Sequence, residues 1–439
     1  MFGKSKKKQA EAERLDEEKK IEEYTQKLVE EELGDGSELD YEKSDIIKDV
    51  AKGLSDGNSS KGKKKKEKEK VDSSSEEQLP EVDLSDDSDV KIGLMRPENY
   101  GDMLQYIEDT NVTDINWNGS QLWIDDLTRG RYVSEVVLTD EFVNSFSTRV
   151  SNVVSKAFNK YSPVLEAETE ELRISILHSS ISRTGTSISI RKTPAIKRIN
   201  FAESIKNGDY CSEEIANFMS NSVKAKLNVL VCGLPGVGKT ELVKYLTGYI
   251  FPHDRAITIE DSLELHYKDI NPDKDCLMLK VNDTDFTYVD AIKASLRQFP
   301  QWIILSEARS VEVKYLIESL STGAKCLTTI HTDDVRKLPD RIKNMIGDNI
   351  AADRVENEVY SFIDVAILIN KKSILSTDGK SEKIKRYIDQ VAVFTRDEGK
   401  NECRLIFDEG KRTGKEVQES TLHKYELAGI SDPFKYTFI

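Results

Sequence analysis

Apolar positions change their spacing along the chain, and each change marks a segment. Over residues 1–90 they nearly vanish: Lys, Glu, Ser and Asp dominate and aromatic residues are sparse. Such a segment buries too little apolar surface to offset its chain entropy, which predicts a disordered charged tail. Within it, Ile21, Tyr24 and Leu28 recur at i, i+3, i+7, a thin stripe that allows a helix over 9–33. From 91 to about 200, helix-like and strand-like patterns alternate. TDINWNGSQLWIDD reads as a hairpin turning at Asn118-Gly119, an amphipathic run follows around Phe142 to Tyr161, and LRISILHSSISRTGTSISIRK reads as strands with a turn at Gly185. This predicts a small α+β domain, closed by a linker from Thr193 to about Gly208 that carries Pro194. From 201 to 439 the period changes again. Buried strands (LNVLVCG, AITIED, WIILSEA, KCLTTIHT) alternate with helices (TELVKYLTGYI, FTYVDAIKASLRQ, VEVKYLIESLSTG), the pattern of a parallel sheet covered on both faces.

Charge narrows the picture. The basic block KGKKKKEKEK at 61–70 precedes the acidic, Ser-rich SSSEEQLPEVDLSDDSD, a pairing that reads as a solvated tether or as an electrostatic docking segment. The formal net charge of -15 argues against sequence-independent binding to nucleic acid or to an anionic membrane. Cys211, Cys232, Cys276, Cys326 and Cys403 show no CxxC spacing, which argues against a disulfide framework or a zinc site and fits a reducing cytosol. The N-terminal run MFGKSKKKQAEAERLDEEKK has no apolar core and does not read as a signal peptide. No window approaches the roughly 18 apolar residues of a membrane span, so a cytoplasmic protein is expected, associated with membranes peripherally through partners.

Candidate chemistry centres on GLPGVGKT at 233–240, which matches GxxxxGK[ST] between an apolar strand and a helix, the context that motif requires. Its glycines let backbone N–H groups curl around phosphate oxygens, and the following helix adds its positive N-terminal end. The phosphate-binding residues are Gly233, Leu234, Pro235, Gly236, Val237, Gly238, Lys239, Thr240 and Glu241. Lys239 is expected to reach the β- and γ-phosphates, and the Thr240 hydroxyl to ligate Mg²⁺. Guanine recognition is disfavoured because the NKxD-like string Asn370-Lys371-Lys372-Ser373 lacks its aspartate; ATP with Mg²⁺ is expected. Hydrolysis further needs carboxylates at strand tips facing the ligand crevice. WIILSE ends on Glu307 and AITIED on Glu260-Asp261; Glu260 is expected to activate water and Glu307 to hold the metal shell, or the reverse. His331 ends the apolar strand CLTTI between Thr329 and Thr332, and either senses nucleotide or is a satisfied core side chain.

Together these strings resemble the type II/type IV secretion ATPases, in particular the branch serving Tad pili and conjugation. The loop matches that family's Walker A motif, TIED at 258–261 its Asp box, IILSEAR at 303–309 its Walker B and TTIHT at 328–332 its His box, with STG at 321–323 also in place. VDAIKASLRQFP resembles the helix before Walker B, VTDINWNGSQLWID the N-terminal domain, and TSISIRK its closing strand. The resemblance, over about 92–410, implies a RecA-like ATPase domain behind a smaller α+β domain. It implies a homo-hexameric motor whose partner is an inner-membrane platform or coupling protein of a secretion, pilus or conjugation machine. It makes His331 catalytic and assigns charge stabilisation to Arg173, Arg191, Arg297 and Arg309. Two positions depart from the family pattern: Ser306 stands where Gly is usual and Asp333 where Asn is common. The alternatives are a nucleic-acid translocase on the same RecA-like core, against which the acidic charge weighs, and a scaffold that binds ATP without hydrolysing it.

Overall fold

The computed structural model describes residues 95–200, 205, 210–282, 284–347, 352–375 and 382–437, all inside one compact unit that spans Leu84–Ile439. The charged tail and the helix expected over 9–33 lie outside the described residues.

The first sheet is antiparallel. It contains β1 (Val112–Trp117), β2 (Leu122–Asp126), β3 (Gly130–Val133), β4 (Val164–Glu168), β5 (Leu172–Leu177) and β6 (Ser187–Lys192), in the order β3-β2-β1-β6-β5-β4. The β1–β2 turn forms where the Asn-Gly pair predicts it. The Asn118 carboxamide oxygen accepts the N–H groups of Ser120 at 3.0 Å and Gln121 at 2.9 Å and so closes the loop. Alternate residues of β5 are buried, placing Leu172, Ile174 and Ile176 in a core shared with Tyr100 and Phe146. The polar alternates, Arg173 among them, face away from that core. The amphipathic run forms α1 (Asp140–Val153), capped by Thr139, whose hydroxyl accepts from the N–H of Phe142. It stops short of Tyr161 because Ser155 turns to φ 52°, a conformation that ends a right-handed helix.

The second sheet has the order β15-β14-β13-β12-β7-β11-β10-β8-β9. Its parallel part is β7 (Val229–Cys232), β8 (Ala256–Glu260), β9 (Cys276–Lys280), β10 (Trp302–Ala308), β11 (Lys325–Ile330) and β12 (Val365–Leu375). Between these run α2 (Glu213–Lys224) before β7, α3 (Lys239–Thr247), α4 (Tyr288–Ser295) and α5 (Glu312–Leu320). Val229 and Val231 pack into one hydrophobic cluster while Leu230 and Cys232 pack into another. Both faces of the sheet are therefore covered, as the continuous apolar runs require. Beyond β12 the sheet continues antiparallel through β13 (Glu382–Asp397), β14 (Lys400–Asp408) and β15 (Lys411–Arg412). The strand–helix alternation does not announce this extension. Among the described residues no helix is long and apolar enough to cross a membrane.

Candidate functional site

Glycine loop and strand tips meet at the carboxyl edge of the parallel strands. The loop leaves β7 after Cys232, and Gly233 adopts φ 150° with β12 directly behind it. A Cβ there would come within 2.7 Å of the Ile369 carbonyl oxygen, so only glycine allows this approach. Gly238, at φ 93°, caps α3 in the left-handed region. Lys239 is buried. Its ammonium donates to the carbonyls of Gly233 at 3.2 Å and Leu234 at 3.4 Å, and to His331 Nδ1 at 3.2 Å. Burial holds its pKa below the usual lysine value, while Glu307 acts in the opposite sense.

His331 turns its other ring nitrogen to Glu307: Nε2–H donates to Oε1 of that carboxylate. These two partners assign the tautomer, with the proton on Nε2 and the lone pair of Nδ1 toward Lys239. Burial, then the Lys239 charge, lower the His331 pKa below the usual 6.5, against the pull of Glu307. The second Glu307 oxygen accepts from Arg309 Nε at 2.9 Å, and Arg309 Nη1 donates to Asp261 at 2.9 Å. Burial works against the Arg309 charge, and Asp261 and Glu307 outweigh it and raise its pKa. The β10–β11 ladder breaks register between Leu305 and Ala308, and that irregularity turns Ser306 and Glu307 toward the cleft.

The cleft, ≈ 480 Å³, lies between the two sheets and is lined by Arg173, Arg191, Lys239, Glu264, Glu307 and Arg309 among others. That volume lies within the range typical of small-ligand sites. Arg173 and Arg191 are cross-strand neighbours on β5 and β6. Arg191 Nε donates to Asp114 at 2.8 Å, and Arg173 comes within 4.0 Å of Glu264. Arg297, in contrast, is exposed beyond the end of α4 and is not part of the cleft lining. Glu241 faces Arg198 at 3.4 Å and Lys244 at 3.5 Å.

Glu260 lies behind the cleft. It is 1% exposed, and its Oε1 accepts the N–H groups of Glu264 at 3.1 Å and Leu265 at 2.9 Å. Burial pushes its pKa up to about 7, the two N–H donors acting against that. The carboxylate that faces Thr240 is Glu264, whose Oε2 accepts from the Thr240 hydroxyl at 3.2 Å. Sequence reasoning missed it because it sits four residues past the strand; a scan of TIEDSLE for acids beyond the strand end would have found it. Arg386, which also lines the cleft, carries no motif that points to it.

A family model described as "Type II/IV secretion system protein" matches residues 162–429. An uncharacterised protein of Bacillus anthracis is 28% identical over 310 residues, 70% of this chain and 69% of that protein. The protein VirB11 of Rhizobium radiobacter is 34% identical over 170 residues, 37% of this chain and 48% of VirB11; the chain thus spans about half of that relative. The X-ray structure of the Legionella pneumophila ATPase DotB aligns at TM-score 0.49 with 16% identity, covering 66% of this chain and 79% of that one.

Proposed function

The chain belongs to the type II/IV secretion system protein family, and from that premise we propose that it is an ATP-hydrolysing ring motor. Six copies would drive secretion, pilus assembly or conjugative transfer by pulling on a membrane-embedded platform or coupling protein. The observation that carries the reading is the unbroken chain Lys239–His331–Glu307–Arg309 at the mouth of a glycine loop. A phosphate-binding cation, a carboxylate and a charge-stabilising arginine are held in fixed mutual geometry, as phosphoryl transfer requires.

Each side chain has a task set by its contacts. The loop from Gly233 to Glu241 would cradle the phosphates, with Lys239 as its built-in cation. Glu307, fixed on both oxygens, would orient the attacking water and take its proton. Neutral His331 couples Lys239 to Glu307, so a change at the cation is felt at the carboxylate. Arg309 stands on the same side of the cleft, while Arg173 and Arg191 approach from the other sheet, where domain closure would bring them onto developing negative charge. The oxygen donors Thr240 and Glu264 stand together in the cleft, a donor set suited to Mg²⁺, which is bound through one or two carboxylates and substrate phosphates. When bound, Mg²⁺ would supply charge neutralisation at the β- and γ-oxygens. Glu260 is a support in this scheme: its carboxylate fixes the backbone from which Glu264 projects.

The test is phosphate release by the purified full-length chain with ATP and Mg²⁺. Turnover that Glu307→Gln lowers by at least about a hundredfold, while nucleotide stays bound, is the expected result. Absence of turnover in the wild type at every assembly state would leave only a nucleotide-binding scaffold.

A further inference from the structure

The β12–β13 hairpin passes over the phosphate loop, and its register sets Lys371 directly opposite Arg386. In a sheet, residues opposite or two apart share a face. On this face the next pair inward is Ile369 and Ile388, both 1% exposed, and the Ile369 carbonyl is the atom that backs Gly233. The face that carries the two cations therefore continues from the core out over the loop.

Their distances to the loop agree. Arg386 Nε donates to the Gly236 carbonyl at 3.3 Å. Its Cδ lies 3.7 Å from where a Gly238 Cβ would stand, and Lys371 Nζ lies 3.6 Å from a Cβ on Gly236. Like charges directly opposite in a sheet are destabilising unless something compensates them. Among the described residues neither cation has a carboxylate ion-pair partner, and Glu241, the acid whose field reaches Arg386, is engaged by Arg198 and Lys244. Burial also disfavours the Arg386 charge. Two cations thus stand together at the outer edge of a loop built for phosphate, beside the cleft that Arg386 lines.

We propose that Lys371 and Arg386 form a clamp on the nucleotide's diphosphate, gripping it from the hairpin side while the loop backbone holds it from the other. The proposal rests on the ATP reading above. Lys239, His331 and Arg309 cluster around Glu307, whereas the hairpin touches Gly236 and Gly238. The clamp therefore meets the phosphates common to ADP and ATP and acts on binding, not on the chemical step.

The experiment measures binding of ADP and of ATP to the full-length chain by calorimetry, alongside steady-state turnover. In Arg386→Gln the Kd for both nucleotides rises about tenfold, as for loss of one half-exposed charge-assisted bond to phosphate; KM rises in step and kcat stays within about twofold. Arg386→Lys recovers part of the loss. The gap between wild type and Arg386→Gln narrows between about 0.1 M and about 1 M salt, as the screening length shortens from about 10 Å to about 3 Å. Glutamine can still donate to the Gly236 carbonyl, so a residue that only anchored the loop would give no salt-dependent gap. Lys371→Gln, at an exposed position, gives a smaller loss in the same direction and serves if Arg386→Gln fails to fold. Unchanged ADP affinity in either folded variant, or loss for ATP alone, overturns the clamp. A wild type that binds neither nucleotide overturns the ATP reading instead.

Discussion

Replacing Glu260 by Gln separates a buried support from a catalytic base. The Glu260 side chain is 1% exposed, one oxygen accepts two backbone N–H groups, and the other, Oε2, has no partner among the described residues. Its pKa stands near 7 in the fold against 4.5 for a free glutamate. In the unfolded chain the proton leaves near the lower value, so between the two the folded state binds more protons and stability falls as pH rises. Above about pH 7 the fold carries the full cost of the buried charge, about 3 kcal/mol at about 1.4 kcal/mol per pKa unit. Glutamine keeps an oxygen for the two N–H groups and does not titrate. Its NH₂ takes the place of Oε2, and a donor left unpaired there costs about 1–3 kcal/mol at every pH. That constant offset cancels when one pH is compared with another. Relative to wild type, Glu260→Gln should therefore gain roughly 2.5 kcal/mol between about pH 5 and about pH 8. Urea unfolding followed by circular dichroism, without nucleotide, measures the two differences, and phosphate release at about pH 8 is compared on the same samples. Turnover within a few-fold of wild type is expected. A stability gap that does not move with pH would refute the buried-charge argument, and a hundredfold loss of turnover in a well-folded Glu260→Gln would return water activation to this residue.

Three further outcomes follow from the same geometry. Lys239→Ala should abolish phosphate release and weaken ATP binding, because it removes the cation that the loop carbonyls and His331 hold in place; near-normal turnover would remove the loop from the mechanism. The His331 pKa is lowered and only the neutral ring can accept from Lys239 while donating to Glu307, so kcat should stay level through neutrality and fall with a midpoint below about 6.5. His331→Gln should lose that acid limb, and an identical profile in the variant would assign the limb elsewhere. In a ring whose subunits turn over in a coupled cycle, doping wild type with Lys239→Ala subunits should depress turnover by more than their mole fraction; strict proportionality would contradict a coupled ring.

Much of this site is legible in the sequence because its chemistry sits at the ends of apolar runs. His331 directly follows β11, Glu307 stands next to last in β10, and the loop that carries Lys239 opens where β7 ends; a parallel strand delivers whatever stands at its end to one edge. The side a strand-end residue faces is harder to read. Every residue of β8 is buried, so no alternation tells whether Glu260 points into the cleft or behind it, and the acid that does face Thr240 lies in the loop beyond. Arg297 shows the converse. Its string looks like the helix before Walker B, yet α4 ends before it and leaves it at the surface. The antiparallel extension and Arg386 stay hidden because KIKRYIDQV reads only as a strand, and nothing local in it says that its partner strand runs behind the glycine loop.

The serine that replaces the family's usual glycine at 306 gains a meaning from the contacts around it. Its hydroxyl lies 3.0 Å from that of Tyr288, at the start of α4, and Tyr288 in turn donates to the Asp261 carboxylate at 3.3 Å and accepts the Asp261 N–H at 3.1 Å. Asp261 holds Arg309, which holds Glu307. A run of hydrogen bonds thus joins α4, the tip of β8, the irregular end of β10 and, through His331, the phosphate loop. Glycine at 306 would leave the Tyr288 hydroxyl with Asp261 alone and remove the tie between α4 and β10. The motifs that the sequence displays as separate strings are, in the folded chain, one connected set of polar contacts. A displacement of α4 is therefore felt at Asp261 and Arg309, and a change in the charge on Lys239 is felt at the same carboxylate, Glu307, from the opposite end.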